Sequence, residues 1–144
     1  MQFKKLSVLM PVYNEEIAVA ANILETDDYF KKLGIEYEII VMDDGSKDKT
    51  YEKVKELNNP RVMAFKQRIN EGKGEALKEA FKKSTGDMVM FLDGDLDIHP
   101  RQFEVLFEVM KTKNADVVIG SKRHKDSVLN YPKNRRLMSA VYFF

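Results

Sequence analysis

Apolar and polar positions along this chain fall into blocks, and the period changes from block to block. Leu6-Ser-Val-Leu-Met10 is a short apolar run stopped by Pro11 and predicts a first strand. Tyr37-Glu-Ile-Ile-Val-Met42, Arg61-Val-Met-Ala-Phe65, Met88-Val-Met-Phe-Leu92 and Asp116-Val-Val-Ile-Gly120 are runs of the same kind and predict four more. The fourth is apolar throughout, as expected of a central strand covered on both faces. Between the runs the spacing is helical. Asn14 stands where it can cap a helix reaching Leu33, with Glu15 and Glu16 near the positive end and Gly34 as the stop. Ser46 or Asp48 opens a second helix that ends at Asn58-Asn59-Pro60. A third runs from Gly74 to Lys83, with Ala76, Leu77, Ala80 and Phe81 on one face. Pro100 takes the first position of a fourth, in which Phe103, Leu106, Phe107 and Met110 keep the spacing of one buried face.

Strands alternating with helices imply an α/β fold, with a mainly parallel sheet and helices on both faces. Ligands of such sheets bind outside the carboxyl ends of the strands. In this sequence those ends carry Pro11-Val-Tyr-Asn-Glu-Glu16, Asp43-Asp-Gly-Ser46, Asp93-Gly-Asp-Leu-Asp97 and Gly120-Ser-Lys-Arg123. Asp93, Asp95 and Asp97 place three carboxylates at alternate positions after an apolar strand. Their hard oxygens suit Mg²⁺ or Mn²⁺, and a cation there is well placed to hold a diphosphate. For any one of the three, a solvated turn capping the next helix is the plainer reading. Of Asp43 and Asp44, one is expected to cap the Gly45 turn and the other to accept hydrogen bonds from a base or ribose.

Composition narrows the chemistry. At 144 residues, with 44% hydrophobic and 33% charged, one packed domain is expected. The absence of cysteine excludes disulfides, thiolate metal sites and thiol nucleophiles. His99 and His124 are too isolated to suggest zinc, and His99 before Pro100 reads as a helix-start residue. No spacing suggests a Ser–His–Asp arrangement. No run approaches the roughly 20 apolar residues of a membrane span, and the first residues do not form a signal peptide, so a cytoplasmic location is expected. Asn70-Glu-Gly-Lys-Gly74 lacks the spacing of a phosphate loop, and Leu77 stands at the third glycine of a dinucleotide fingerprint. Its simple role is a tight entry to the third helix, although Lys73 can reach a phosphate.

Charge is unevenly spread. The net charge is +1, but residues 122–136 alone carry +5, leaving −4 on residues 1–121. Such a segment is either a solvated basic loop or a docking place for an anionic partner. Leu137-Met-Ser-Ala-Val-Tyr-Phe-Phe144 follows, apolar and without a stop signal. It either packs on the core or leads into a longer protein, and the second is expected.

Taken together, Val8-Leu-Met-Pro-Val-Tyr-Asn-Glu-Glu16, Val41-Met-Asp-Asp-Gly-Ser-Lys-Asp48, Asn70-Glu-Gly-Lys-Gly-Glu-Ala76, Phe91-Leu-Asp-Gly-Asp-Leu-Asp97 and Val118-Ile-Gly-Ser-Lys122 resemble the family 2 glycosyltransferases, in order and over nearly the whole chain. Within that family the chain is most similar to the polyprenyl (dolichyl) phosphate mannose or glucose synthases. The resemblance implies a Rossmann-like GT-A fold, with residues 1–121 as the nucleotide-sugar-binding core and 122–144 as the start of an acceptor- or membrane-facing part. It implies that Pro11, Tyr13 and Glu15 lie along base and ribose, and that Asp44 and the Met42 backbone hold the base. Asp93, Gly94 and Asp95 would hold the nucleotide sugar and its metal, with Asp93 and Asp95 at the catalytic centre. Relatives commonly carry Gln where this chain has Asp97, a better cation ligand but an added charge. They carry Arg where it has Lys122 followed by Arg123, so either cation is a candidate for phosphate, alongside Lys73.

The implied reaction is inverting, metal-dependent transfer of a hexose from a GDP- or UDP-sugar. An acceptor that is already a phosphate anion needs no general base, which favours a polyprenyl phosphate over a sugar hydroxyl. Residues 122–144 would then contact the cytoplasmic face of a membrane peripherally, at about 1 kcal/mol per basic residue near anionic lipid. Equal binding to neutral and anionic vesicles would argue against that contact. A nucleic-acid partner is not expected. Two rivals are a nucleotidyltransferase, which would want a glycine-rich loop after the first strand, and a nucleotide-sugar-binding fragment lacking its acceptor half.

Overall fold

The computed structural model describes residues 2–121. The elements are β1 (Leu6–Val12), α1 (Val19–Leu33), β2 (Tyr37–Asp43), α2 (Thr50–Glu56), β3 (Val62–Lys66), α3 (Lys73–Lys83), β4 (Met88–Phe91) and α4 (Gln102–Lys113). All four strands are parallel, in the order β3-β2-β1-β4. The expected α/β architecture is present: the sheet grows from β1 through β2 to β3, then switches once to the other side of β1 for β4.

Because side chains alternate across a strand, each strand feeds two cores. Leu6, Val8, Met10 and Val12 of β1 meet Ile23 and Phe30 of α1, Val54 of α2 and Phe103 of α4. Leu9 of β1 turns the other way and meets Ile40, Met42, Ala76 and Ala80, so α3 covers the opposite face. The small Ala76 and Ala80 let α3 lie close to the sheet. β1 and β2 are buried at every position, which explains why they read as apolar runs broken only by Ser7 and Glu38.

Several expectations change. Residues 116–120 form no strand, and Val117 and Ile119 are 77% and 82% exposed. β-branched residues favour strands mainly through pairing and burial, and no described strand pairs with this segment. β4 is not central among the described residues. It stands at the sheet edge, with Phe91 62% exposed. Phe81 is exposed although Ala76 and Ala80 on its helix are buried. Asn14 does not cap α1, which begins at Val19. Its φ of 54° instead turns the chain out of β1. Lys122, Arg123 and the whole basic-then-apolar stretch 122–144 lie outside the described residues. No helix among the described residues is long and apolar enough to cross a membrane.

At the end of the sheet away from the strands' carboxyl termini, Glu38 of β2 is buried beneath Lys5. Its carboxylate pairs with the Lys5 ammonium and accepts hydrogen bonds from Ser7 Oγ at 2.6 Å and Thr85 N–H at 2.7 Å. Burial alone would raise this acid, but the hydrogen bonds from Lys5, Ser7 and Thr85 outweigh it and hold it at about 2, below the ordinary 4.5. A lowered folded value stabilises the protein above about pH 4.5, and that contribution is lost as pH falls toward 2. The loss is on the order of 3 kcal/mol. Urea unfolding across that window should show it, and Glu38→Gln should flatten the slope; an unchanged slope would remove Glu38 from the account.

Candidate functional site

Parallel strands end on the same side, and here the ends of β1, β2 and β4 enclose a cavity of about 330 Å³. Pro11 and Val12 line it from the last residues of β1, Tyr13 and Glu15 from the loop that follows, and Asp44 from just beyond β2. Asn70, Gly72 and Lys73 come from the entry to α3, and Asp93, Gly94 and Asp95 from the end of β4.

The loop after β1 is laced to the loop after β2. Asn14 N–H donates to Ser46 Oγ at 2.9 Å, and Lys47 N–H donates back to Asn14 Oδ1 at 2.9 Å. Glu15 N–H donates to Thr50 Oγ1 at 2.7 Å, and Glu16 Oε2 accepts from Lys49 N–H at 3.0 Å. Asn14 and Glu16 thus tie loops together, where the sequence suggested helix capping. The lacing turns Glu15 toward the β4 turn. Its Oε2 is buried without a hydrogen-bond partner, and a Cβ at Gly94 would stand only 2.7 Å from it. Burial raises the Glu15 carboxyl above its ordinary range, and the charges of Asp95, Asp93 and Asp48 add to this against the Tyr13 backbone N–H.

The two acids after β2 divide their work. Asp43 Oδ1 accepts from Ser46 N–H at 2.7 Å, closing the turn, and its Oδ2 lies 3.6 Å from Lys66 Nζ. Asp44 borders the cavity, yet its two oxygens accept from Glu71 N–H at 2.8 Å and Gly72 N–H at 2.9 Å. It therefore fixes the entry to α3. Gly45 makes that approach possible: its φ is +71°, and a Cβ there would fall 2.5 Å from the Ile69 carbonyl carbon.

That entry brings Lys73 across the cavity, with Nζ 2.5 Å from Asp93 Oδ1. The turn carrying Asp93 and Asp95 is held by Asn22 Nδ2 on the Gly94 carbonyl at 2.7 Å and by Leu96 N–H on the Asp93 carbonyl at 3.1 Å. Asp95 Oδ1 accepts from Asp97 N–H at 3.0 Å. His99 Nδ1 accepts from Arg101 N–H at 3.0 Å, in keeping with a helix-start residue, while its Nε2 lies 2.8 Å from Glu25.

The structure thus gathers Pro11, Tyr13, Glu15, Asp44, Lys73, Asp93, Gly94 and Asp95 into one cavity. Met42 is buried in the sheet, its side chain against Leu9, Ile40, Ala76 and Ala80, and it does not line the cavity. Asp97 is exposed and outside the lining. Asn70 and Gly72 also line the cavity; in the sequence they belong to a motif that carries the family resemblance and to a helix entry, and their signal as lining residues is their place between a strand end and Lys73. Among the described residues no three acidic or histidine side chains converge as a complete metal cage. Asp93 and Asp95 supply two hard carboxylates in one turn, and a lysine ammonium already sits on the first. That donor set fits Mg²⁺ or Mn²⁺, which use one or two carboxylates and complete their shell with water and substrate phosphate.

The family model "Glycosyl transferase family 2" matches residues 7–144. A dolichol-phosphate mannosyltransferase of Pyrococcus furiosus is 35% identical over 137 residues, covering 94% of this chain and 38% of the relative. A dolichyl-phosphate beta-glucosyltransferase of Trichomonas vaginalis is 34% identical over 148 residues, covering 95% and 46%. The crystal structure of S. aureus TarS 1-349 in complex with UDP-GlcNAc superposes with a TM-score of 0.62 at 26% identity, covering 86% of this chain and 37% of that one. The chain therefore spans less than half the length of the curated relatives it matches. Its sheet and helices have the GT-A fold of its structural neighbours.

Proposed function

The chain belongs to glycosyl transferase family 2, and we propose that its protein moves a hexose from a nucleoside diphosphate sugar, GDP- or UDP-linked, to a polyprenyl phosphate. The observation that carries this reading is the meeting of Tyr13, Glu15, Asp44, Lys73, Asp93 and Asp95 around one cavity at the strand ends.

Each group has a part that its chemistry suits. Pro11 and the half-exposed Tyr13 ring offer an apolar face to a base. Glu15 lines the same cavity, and its carboxyl is an acceptor for ribose hydroxyls, which are donors. Each Asp44 oxygen keeps a second acceptor site beyond its backbone hydrogen bond, which suits a base N–H. Lys73 brings positive charge to the diphosphate. Asp93 and Asp95 would hold a divalent ion, which when bound neutralises the charge growing on the leaving diphosphate. A phosphate acceptor attacks as an anion, so no side chain has to remove its proton, and inversion at the sugar carbon follows from direct displacement. The two dolichyl-phosphate relatives support this acceptor class. Because the chain spans under half of those relatives, a second reading is a donor-binding portion whose acceptor groups lie elsewhere in a longer protein.

Calorimetry with GDP- and UDP-sugars, with and without Mn²⁺, followed by transfer assays with a polyprenyl phosphate, tests both. Mn²⁺-dependent binding with transfer supports the first reading. Binding without transfer supports the second, and no binding to either sugar nucleotide would sink both.

A further inference from the structure

Lys73 is the first residue of α3, and its backbone is fixed from three sides. Asp44 holds the N–H groups of Glu71 and Gly72 just before it. The Gly72 carbonyl accepts from Glu75 and Ala76 N–H, both at 3.1 Å. Ala76 and Ala80, fully buried, pin α3 to the sheet. Only the four-carbon stem and its ammonium are free to move. That ammonium sits on Asp93 Oδ1 at 2.5 Å, with side-chain exposures of 59% for Lys73 and 44% for Asp93. A pair so open to water is screened and readily exchanged.

The charges around it explain why it sits there. Asp93, Asp95 and Glu15 line the same cavity, and both aspartates act on Glu15 as like charges. An ammonium relieves that repulsion, but it is a point charge with hydrogen-bond donors and cannot chelate as a divalent ion does. Building on the function proposed above, we infer that Lys73 is a place-holding cation. In the donor-free protein it occupies Asp93, and it passes to the donor's diphosphate when a divalent ion takes the aspartates.

The exchange couples metal to donor. A bare ion must displace Lys73 and leave it without a partner, whereas an ion arriving with a diphosphate supplies the ammonium with a new one. By linkage, the donor strengthens metal binding by the same factor that metal strengthens donor binding. Removing the ammonium therefore has opposite effects on the two ligands, which a purely structural role would not produce.

The test measures free Mn²⁺ by electron paramagnetic resonance, and GDP and UDP binding at saturating Mn²⁺ by calorimetry, in the full-length protein. Lys73→Met should bind Mn²⁺ alone about three- to fivefold more tightly, the gain expected from freeing an exposed ion-paired carboxylate. It should bind the nucleoside diphosphate about tenfold more weakly, the scale of losing one charge-assisted contact. Lys73→Arg should return both toward the starting values. Lys78→Met removes a charge from the same helix, one that pairs with Glu75, and should change neither. Mn²⁺ affinity unchanged or weakened by Lys73→Met overturns the exchange, as does an equal gain in Lys78→Met. Mn²⁺ binding lost in Asp95→Asn but indifferent to Lys73 overturns the exchange alone. Mn²⁺ binding that survives Asp95→Asn overturns the proposed metal position along with it.

Discussion

Asp95→Asn is expected to lower kcat/KM for sugar transfer by about a thousandfold and to leave the unfolding free energy within about 0.5 kcal/mol. The two halves have separate causes. Three decades correspond to about 4 kcal/mol of transition-state stabilisation, within the several kcal/mol that a metal supplies to a departing diphosphate. An amide keeps an oxygen but loses the charge that lets a carboxylate bind a hard cation. Stability is spared because Asn retains the Oδ1 acceptor for Asp97 N–H, now at 3.0 Å, and because the side chain is exposed. Removing one negative charge beside Asp93 and Glu15 relieves repulsion rather than creating it. Transfer assays at saturating Mn²⁺ and urea unfolding would be run on the same preparation. Activity within tenfold of the parent would mean that the metal is not held at Asp95, or that transfer does not need it. A matching loss of stability would mean that Asp95 serves the fold.

What the sequence discloses here depends on how local the determining interactions are. β1 to β4 could be read because each is a mostly apolar run, broken only by the buried Ser7 and Glu38, and burial of both faces of β1 and β2 demands such runs; Pro11, expected to stop β1, instead lies within it, and the strand runs on to Val12. The acids at the strand ends could be read for the same reason, as charges abutting apolar segments. Asn14 misled because its capping chemistry is real, but its side-chain oxygen is spent on Lys47 N–H, over thirty residues away. Residues 116–120 misled because strand preference presumes a neighbour, which the described residues do not provide. The role of Asp44 was half visible: its place at a strand end marked it for the cavity, but nothing local shows Glu71 and Gly72 donating to it. Lys73 was likewise marked as a phosphate cation, while its contact with Asp93 arises only when β4 and α3 fold against the same end of the sheet.

That dependence on distant backbone makes Gly45→Ala a strongly damaging change outside the charged groups. The φ of +71° costs an L-residue about 1 to 2 kcal/mol. The new Cβ would lie 2.5 Å from Ile69 C, 2.7 Å from Asn70 N and 2.9 Å from Ile69 O, all backbone atoms that cannot rotate away. Overpacking of this kind adds about 1 to 3 kcal/mol, so a total near 3 kcal/mol is expected. Gly34→Ala provides the comparison: its φ is +67°, nothing stands within 4 Å of the added carbon, and only the conformational part, about 1 kcal/mol, applies. The difference between the two in urea unfolding isolates the clash. The clash also has a direction, since moving residues 69 and 70 aside draws Glu71 and Gly72 from Asp44 and carries Lys73 away from Asp93. Gly45→Ala protein that remains folded should therefore lose Mn²⁺-dependent nucleotide binding, whereas Gly34→Ala should keep it. Equal destabilisation of the two variants with binding intact would show that the loop before α3 yields freely and that Asp44 does not need it in place.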